Sequence, residues 1–342
     1  MNSPNRYLRQ ARFAPLGDAG QRRLQAARVL ICGCGALGSV LATLLARAGV
    51  GFLRIVDRDF LEWSNLQRQV LFNEADVVSG LPKAVLAGEK LRAINSEIEI
   101  DAQVVDVHAG NIDALAKDVH LILDGTDNFE IRFLLNDFAI RHGIPWVFGG
   151  CIGAEGQTMS ILPGTTPCLR CLLGDAPPPG TTETCDTAGI LAPIIGVIAS
   201  IQACEAIKIL SGNLDAVSRV LQVIDLWHNA TRHVRLDSLR PADCPCCSGR
   251  EFPWLEGRKG AQSVVLCGRN AVQLAFPDSP RVSLEQLAAK LSSTFTVTRN
   301  PYLLRFSVDK YTLSVFPDGR AIIAGTEDFA EARSVYARYV GA

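Results

Sequence analysis

The sequence predicts an α/β fold: a doubly wound mixed sheet with helices on both faces, followed by a small C-terminal α+β domain. Three observations support this prediction. Hydrophobic residues make up 48% of the 342 residues, as expected for a sheet that is buried on both faces. Short apolar strands alternate with helical stretches through residues 28–148. After residue 157 this alternation gives way to a different pattern.

The alternating half opens with a strand at residues 28–32, a glycine turn, a helix at 36–48 and a second strand at 52–56. A strand–turn–helix–strand unit of this kind begins a parallel, Rossmann-like sheet. The alternation continues with a helix over 81–94, strands over 98–105 and 119–123, a helix over 129–142 and a strand over 145–148.

The second half has a strand at 157–162, a loop rich in Pro, Thr and Gly at 163–187, and then the most apolar run of the chain, 189–204. A membrane span needs about 20 apolar residues. This run is shorter and contains Pro193 and Gly196, so a buried core helix is favoured over a membrane helix. Two further strands are predicted over 218–226 and 232–236.

The predicted domains are a first domain over residues 1–248 and an accessory α+β domain over 263–342. Residues 249–262 between them have the glycine and charge content of a linker. In the accessory domain we predict helices at 284–291 and 328–339 and a hairpin turn at Pro317-Asp318-Gly319.

Composition restricts the possible partners and compartment. The net charge is −1, so no overall field attracts the chain to nucleic acid or to an anionic membrane, and we expect neither partner. The first ten residues carry no apolar segment typical of a secretory signal. Eleven cysteines, several in C-x-x-C pairs, favour reduced thiols and a metal site over disulfides, so we expect a cytoplasmic protein.

A glycine-rich loop lies between the first strand and the first helix of the sheet. Gly33, Gly35 and Gly38 form a G-x-G-x-x-G motif, in which backbone amides and the helix N-terminus favour a phosphate. Asp57, at the end of the second strand, is placed to accept hydrogen bonds from ribose hydroxyls. Taken alone, these features favour NAD over other nucleotides.

The residues after Asp57 do not suit a dehydrogenase. Residues 64–69 form a polar segment that contains Arg68, and Lys83 opens a helix soon afterwards. An arginine and a lysine converging on the glycine loop would neutralise a triphosphate. The alternative is that both are solvated surface charges.

A polar segment, Gly125-Thr126-Asp127-Asn128, follows the strand predicted at 119–123. Ligands bind at the carboxyl ends of strands in open α/β sheets, and a carboxylate there would hold Mg²⁺ on the phosphates. The alternative is that Thr126, Asp127 or Asn128 caps the following helix. Both roles remain open.

Two C-x-x-C pairs lie far apart in the chain, Cys168 with Cys171 and Cys244 with Cys247. Four thiolates with this spacing are typical of a tetrahedral structural Zn²⁺ site, and they predict a zinc knuckle that pins the long loop to the end of the domain. By the same spacing Cys246 is a bystander.

Together these motifs resemble one family, the ubiquitin-activating-like adenylyltransferases (MoeB/ThiF type) that act on sulfur carriers in molybdopterin and thiamine biosynthesis. The resemblance covers residues 6–247 and rests on motifs that occur in family order: Arg6-Tyr7-x-Arg9-Gln10, G-x-G-x-L-G, Asn65-Leu66-Gln67-Arg68-Gln69, Lys83, Thr126-Asp127-Asn128 and the two cysteine pairs. Ala36 stands where many relatives have glycine, which is tolerated if its φ is negative.

The resemblance implies that ATP and Mg²⁺ adenylate the C-terminal glycine of a ubiquitin-fold sulfur carrier ending in Gly-Gly. Asp57 would bind the ribose, Asn65, Arg68 and Lys83 the phosphates, and Asp127 the Mg²⁺. Arg9 would cross a homodimer interface as an arginine finger. The candidate nucleotide-binding residues are Gly33, Gly35, Ala36, Gly38, Asp57, Asp59, Ser64, Asn65, Arg68, Lys83, Asp127 and Asn128. The candidate catalytic residues are Arg9, Arg68, Lys83, Asp127 and Cys185.

Several alternatives stay open. In thiazole-pathway relatives the position of Cys185 forms a covalent link with the sulfur carrier, whereas in molybdopterin relatives it is dispensable. A sulfurtransferase is a possible further partner, and neither the carrier nor the pathway is determined. The rival functions are an NAD-dependent dehydrogenase, which leaves Lys83, Asp127 and the cysteine pairs unexplained, and a non-catalytic scaffold, against which the intact Arg9, Arg68, Lys83 and Asp127 argue.

Overall fold

The structure is a computed structural model, and it describes residues 6–177, 185–235, 243–260, 263–266, 270–275 and 282–341. Side chains are described for all of these except residues 185–186 and 263–266. The chain divides into two compact units, Met1–Lys259 and Gly260–Ala342.

The first unit is built on an eight-stranded mixed sheet with strand order β3-β2-β1-β4-β5-β6-β7-β8. Strands β1 to β5 run parallel, and β6, β7 and β8 are added antiparallel. The strand order reverses between β1 and β4, which confirms the predicted doubly wound α/β fold. The strands are β1 (Arg28–Cys32), β2 (Phe52–Val56), β3 (Glu99–Gln103), β4 (Leu121–Asp124), β5 (Trp146–Ile152), β6 (Glu155–Ile161), β7 (Val220–Asp225) and β8 (Ala230–Arg235).

Helices cover both faces of this sheet. On one face, α3, α5 and α10 pack against the sheet and form one hydrophobic core. On the other face, α7 and the segment around Trp254 form a second core. The helices of this unit are α1 (Leu8–Ala11), α2 (Gly17–Ala26), α3 (Ala36–Ala48), α4 (Glu74–Ser79), α5 (Lys83–Ile94), α6 (Ile112–Leu115), α7 (Phe129–His142), α8 (Leu169–Leu173), α9 (Cys185–Ala188) and α10 (Ala192–Ser211), with 3-10 turns at Trp63–Asn65 and Leu214–Ala216.

Helix α10 is the apolar run that the sequence predicted as a core helix. Its length and composition would allow it to cross a membrane. In the structure it packs against α3, β5 and β6, with Ile194, Ile198 and Ala199 fully buried. The helix begins at Ala192, after Leu191, and continues to Ser211, beyond the end predicted from the apolar run.

The prediction that residues 249–262 form a linker needs correction, because part of this segment belongs to the core. Phe252, Trp254 and Leu255 are buried in the core of the first unit. The backbone N–H of Trp254 donates to the Asp137 carboxylate on α7 over 3.0 Å. The glycines and charges around this short apolar cluster gave it the composition of a linker, although the cluster itself packs like a core element.

The second unit holds a six-stranded antiparallel sheet, with order β11-β12-β13-β14-β10-β9. Its two helices pack on the sheet around Leu287, Val335 and Tyr336, which confirms the predicted α+β unit. The predicted turn at residues 317–319 joins β13 to β14, with Gly319 at φ +83°. The elements are β9 (Ser263–Leu266), β10 (Ala271–Leu274), α11 (Leu284–Leu291), β11 (Val297–Asn300), β12 (Leu303–Val308), β13 (Tyr311–Val315), β14 (Ala321–Ala324) and α12 (Phe329–Tyr339).

Candidate active site

The glycine loop connects β1 to the N-terminus of α3 and lies at the carboxyl edge of the sheet. Gly33 has φ +85°, and a Cβ there would lie 2.7 Å from the Gly125 carbonyl oxygen. A Cβ on Gly38 would lie 1.9 Å from the Gly33 carbonyl oxygen. These two glycines are therefore required by the protein's own packing, which presses the loop against Gly125.

Gly35 is different, because packing within the chain does not require it. Its φ is −78°, and the nearest atom to a Cβ there would be Nε2 of Gln69 at 3.8 Å. A glycine that the protein itself does not need leaves room for a ligand to approach the backbone. Ala36 follows as the first residue of α3, with helical backbone, so the predicted tolerance of alanine there is met. The open space at Gly35 and the N-terminus of a 13-residue helix together suit a phosphate.

Asp57 follows β2, and its carboxylate bonds to the backbone of the glycine loop. One carboxylate oxygen accepts the Cys34 N–H over 2.6 Å, and the other accepts the Asp59 N–H over 2.7 Å. Desolvation raises the pKa of Asp57, and the nearby Lys83 ammonium opposes this rise. The carboxylate is thus fixed beside the glycine loop, where a ribose would lie.

Lys83 is the first residue of α5, and its side chain is only 5% exposed. Its ammonium lies 3.5 Å from the Asp59 carboxylate. Its backbone N–H donates to the Asp59 carbonyl over 2.9 Å. A buried ammonium is costly without a counter-charge. The interpretation of Lys83 as a solvated surface charge is therefore wrong.

The polar segment 64–69 forms a tight turn next to the loop. Asn65 is buried, and its amide oxygen accepts the Glu62 N–H over 3.1 Å. The Arg68 guanidinium donates to the Ser64 carbonyl over 2.9 Å and is partly exposed. Within the part of the chain that the structure describes, Arg68 forms no ion pair. Its charge is therefore available to an anionic ligand.

The segment after β4 is held by a buried ion pair that the sequence analysis did not identify. Arg132 of α7 lies 3.0 Å from the Asp124 carboxylate and donates to the Thr126 carbonyl over 2.7 Å. Asp124 also accepts the Thr126 N–H over 2.9 Å and the Thr126 hydroxyl over 2.7 Å. Burial raises the pKa of Asp124, and Arg132 opposes this rise. The segment that carries Asp127 is thereby fixed at both ends.

Asp127 and Asn128 have different environments. Asp127 is exposed at the carboxyl edge of the sheet, next to the glycine loop. Asn128 caps α7, and its side-chain oxygen accepts the Glu130 N–H over 2.8 Å. Of the three candidate caps, Asn128 therefore takes the role. Its amide oxygen is occupied by the helix, whereas the Asp127 side chain is exposed.

Arg58 is a charged neighbour of the site that the sequence analysis missed. Its guanidinium binds both oxygens of Asp106, over 3.0 and 2.8 Å, and lies 3.8 Å from Asp59. Burial alone would lower the pKa of Arg58, but the carboxylates of Asp106, Asp59 and Asp127 outweigh it and raise that pKa. Arg58 thus balances the negative charge of the carboxylates that surround the loop.

Arg9 lies away from these residues. It is exposed on α1, and the flanking residues anchor this helix to the far ends of α3 and α5. Gln10 donates to the Ala48 carbonyl over 2.9 Å, and Asn95 donates to the Tyr7 hydroxyl over 2.8 Å. Helix α3 has 13 residues, a length of about 20 Å, and the glycine loop lies at its other end. Arg9 therefore does not contribute to the nucleotide site of its own chain.

The two cysteine pairs converge into one cluster. The sulfur atoms of Cys168, Cys171, Cys244 and Cys247 all lie within 4.8 Å of one another. The Cys168–Cys171 and Cys168–Cys244 sulfurs are 3.8 Å apart, and the Cys171–Cys247 sulfurs are 3.5 Å apart. Zn–S bonds of about 2.3 Å in a tetrahedron place sulfurs about 3.8 Å apart, so the cluster fits a zinc ion.

Cys246 is not one of the four clustered sulfurs, although its side chain contacts that of Cys168. Its sulfur accepts from the Asn136 amide over 3.3 Å and lies 3.6 Å from the Asp137 carboxylate. The same Asn136 accepts the Leu169 N–H over 2.8 Å, which ties α7 to the first cysteine pair. The prediction that Cys246 is not a ligand agrees with this geometry. Helix α9 begins at Cys185, but the side chain of that residue lies outside the described part of the structure.

Comparison with known proteins identifies the class. Residues 7–246 match the ThiF family, and the chain belongs to this family. The sulfur carrier protein ThiS adenylyltransferase of Bacillus subtilis is 45% identical over 337 residues, which cover 98% of this chain and 99% of the relative. The sulfur carrier protein adenylyltransferase of Thermus thermophilus is 36% identical over 248 residues, covering 71% and 90%. The family and the enzyme class expected from the motifs, an adenylyltransferase, are confirmed.

Among solved structures, Escherichia coli MccB with ATP is similar in fold. Its TM-score is 0.62 at 23% sequence identity, and the match covers 72% of this chain and 75% of that one. The Rossmann-like mixed sheet is therefore shared with that protein. Neither of the two relatives above is a dehydrogenase, so the NAD alternative has no support from them.

Proposed function

We propose that the chain uses ATP and Mg²⁺ to adenylate the C-terminal glycine carboxylate of a ubiquitin-fold sulfur carrier protein that ends in Gly-Gly. The observation that carries this proposal is the charge at the glycine loop. Buried Lys83 and Arg68, which forms no ion pair with a described residue, flank a loop whose Gly35 is open to a ligand, and Asp127 lies at the same edge. Two cations and a metal-binding carboxylate suit a triphosphate.

The carrier carboxylate is already ionised at neutral pH, so it needs no general base. One carboxylate oxygen attacks the α-phosphorus, and the bond from that phosphorus to the bridging oxygen breaks as pyrophosphate leaves. The products are a carrier acyl-adenylate and pyrophosphate. Catalysis then depends on positioning and on neutralising the charge that develops on the phosphates.

Each residue at the loop has a part in this positioning. Asp57 orients the ribose, and the space above Gly35 receives a phosphate at the N-terminus of α3. Lys83 and Arg68 neutralise the phosphates, while Asn65, held by its bond to Glu62, contributes an amide donor. Asp127 holds Mg²⁺, which when bound neutralises the charge of the leaving pyrophosphate.

The carrier is proposed to be of the ThiS type used in thiazole formation, because the B. subtilis relative aligns along both units of the chain. Cys185 is assigned to the sulfur-transfer step that follows, with a sulfurtransferase as donor, and not to adenylation, which needs no thiol. The four-cysteine cluster is assigned to a structural Zn²⁺. The exposed Arg9 is assigned to the site of a second copy in a homodimer. The protein, with its many thiols, is assigned to the cytoplasm.

The test is ATP–pyrophosphate exchange stimulated by a ThiS-type carrier. We expect exchange with the intact carrier and none with a carrier that lacks its last glycine. Asp127→Ala should lower exchange at least about 100-fold without altering the circular dichroism spectrum, because the residue is exposed. Exchange that is absent with every Gly-Gly carrier, or unchanged in Asp127→Ala, would contradict the proposal.

A further inference from the structure

The carboxyl ends of β4 and β5 separate next to the segment that carries Asp127. The last pair in the register of these strands is Leu123 with Val147. Beyond this pair, the side chain of Gln202 on α10 bridges the two strands, because its amide donates to the carbonyls of Asp124 over 3.0 Å and Val147 over 3.3 Å. Both bonds end on strand backbone, so this bridge supports the sheet.

Arg132 on α7 bridges the same strands from the other face of the sheet, and it also reaches the segment between β4 and α7. Its guanidinium binds the Asp124 carboxylate over 3.0 Å and donates to the Gly149 carbonyl of β5 over 3.0 Å. A further bond goes to the Thr126 carbonyl over 2.7 Å. The side chain is 8% exposed and lies 5.2 Å from the centroid of the Phe148 ring. Because a guanidinium is planar and its donors have fixed directions, these bonds leave it a single position.

The bonds of Arg132 enclose Asp127. The Thr126 carbonyl and the Asp127 N–H belong to one planar peptide unit, so the guanidinium fixes the unit that leads into Asp127. On the other side, the backbone N–H of Arg132 donates to the Asn128 carbonyl over 3.2 Å. One residue thus holds the backbone before and after Asp127. Since the Asp127 side chain is exposed, its carboxylate takes its place from this backbone.

We propose that Arg132 is a positioning residue for adenylation: it sets where the Asp127 carboxylate binds the metal ion, without itself touching the nucleotide. This inference rests on the proposed function for the role of Asp127. Mg²⁺ requires nearly ideal octahedral geometry with ligand distances of about 2.0–2.1 Å, so a small shift of one carboxylate weakens its binding. Gln202 bonds to the same two strands through their backbone, and it therefore gives a matched control.

The first test measures metal binding, not turnover. Mn²⁺, a paramagnetic ion that also prefers oxygen ligands, is titrated by electron paramagnetic resonance into the chain saturated with a non-hydrolysable ATP analogue. Arg132→Lys should raise the dissociation constant of Mn²⁺ at least about fivefold, because lysine keeps the charge beside Asp124 but lacks the second branch that reaches Thr126. Gln202→Met should leave that constant within about twofold, although its lost bonds lower the thermal midpoint.

The metal dependence of exchange supplies a second readout. In Arg132→Lys the Mg²⁺ concentration for half-maximal exchange should rise at least about fivefold, with the KM for the carrier within about twofold. A residue that only stabilised the fold would lower exchange at every Mg²⁺ concentration and leave this midpoint in place. Equal Mn²⁺ affinities of the unaltered chain and Arg132→Lys, or an equal loss in Gln202→Met, would overturn the proposal.

A milder variant covers the case in which Arg132→Lys does not fold. Thr126→Val keeps the buried ion pair and removes the hydroxyl that donates to Asp124 over 2.7 Å. It loosens the same peptide unit and should weaken Mn²⁺ binding at least about twofold. Unchanged Mn²⁺ binding in this variant would likewise overturn the proposal.

Failure of the proposed function gives a different result. Exchange that is absent with every Gly-Gly carrier, combined with Mn²⁺ binding that still depends on Arg132, would contradict adenylation of a carrier and leave the positioning of the metal site in place. Mn²⁺ binding that is equal in the unaltered chain and Asp127→Ala would remove the metal role of Asp127 and the inference with it.

Discussion

At the scale of single residues, the glycines of the loop divide by what surrounds them. Gly33 and Gly38 face backbone atoms within 3 Å of where a Cβ would lie, and Gly33 has a positive φ. Gly35 has a negative φ and faces open space toward Gln69. The first two glycines maintain the fold of the loop, whereas Gly35 keeps space for the ligand.

Substitution at these positions should therefore separate stability from binding. Gly35→Ala should leave the thermal midpoint of unfolding within about 2 °C and weaken ATP binding at least about tenfold, because the methyl group occupies ligand space. Gly33→Ala should lower the free energy of unfolding by more than about 2 kcal/mol, from strained backbone and collision with Gly125. Calorimetric titration with ATP and thermal unfolding of both variants test this. Equal loss of stability in both would contradict it.

Sequence patterns identified the residues that line the candidate site better than the residues that hold them in position. Asp57, Lys83 and the glycines were found because they belong to local motifs beside predicted strands. Arg58, Asp124 and Arg132 were missed, because each acts through a partner that is distant in sequence or carried on another element. Arg58 binds Asp106, 48 positions away, and such a pairing leaves no signature in a single sequence. For Asp124, only its place at the end of a strand was visible.

At the scale of elements, α7 connects the carboxyl edge of the sheet, where the glycine loop lies, to the four-cysteine cluster. Its Asn128 and Arg132 face the segment that carries Asp127. Its Asn136 and Asp137 hold the first cysteine pair and the segment around Trp254. The linker prediction failed here, because composition does not reveal that the Trp254 backbone N–H bonds to the Asp137 carboxylate of another element.

The cluster can be tested with a control that lies within the same sequence motif. Cys247→Ser should lose the bound zinc, measured as metal content, and should lower the thermal midpoint, because one of four ligands is missing. Cys246→Ser should retain the metal, since its sulfur points to Asn136 and Asp137. Loss of metal in Cys246→Ser with retention in Cys247→Ser would contradict the assignment of ligands.

Asp137 should give the first unit a defined dependence on pH. Burial raises its pKa to about 6, although the Trp254 N–H bond opposes the rise. In the unfolded chain the pKa of an aspartate is about 3.9. Between pH 3.9 and pH 6, roughly, the folded state therefore binds more protons than the unfolded state, and the free energy of unfolding falls as pH rises. The loss should amount to at most about 3 kcal/mol and be nearly complete by about pH 7.

Urea unfolding from pH 4.5 to 7.5 measures this effect. Asp137→Asn should remove the part of the slope between about pH 4 and 6, whereas Asp18→Asn, at an exposed position, should keep it. Identical slopes in the two variants would show that another group is responsible.

At the scale of the whole molecule, every residue assigned to adenylation lies in the first unit, Met1–Lys259. The family match, residues 7–246, falls within the same unit. The doubly wound sheet could be predicted because its strands and helices alternate in periodic, local patterns. The eight-strand order could not, since β6 pairs with β7 across a long stretch of chain, with Glu155 opposite Asp225.

A chain that ends at Lys259 should therefore keep carrier-stimulated exchange within about threefold of the full chain, since no assigned contact to ATP is removed. The measurement is exchange normalised to folded protein, with circular dichroism as the check on folding. A folded but inactive truncated chain would assign part of the active site to the second unit.

The distance between the cysteine pairs along the chain has a consequence for biosynthesis. Cys168 and Cys244 are 76 positions apart. At synthesis rates of about 5–20 residues per second, the first pair leaves the ribosome about 4–15 s before the second. During that interval two thiols stand without their partners, open to oxidation or to a poorly held ion. The four-cysteine cluster can therefore form only late in synthesis, after α10, β7 and β8 have been made, and the zinc proposed for it could be held by all four thiols only from that point.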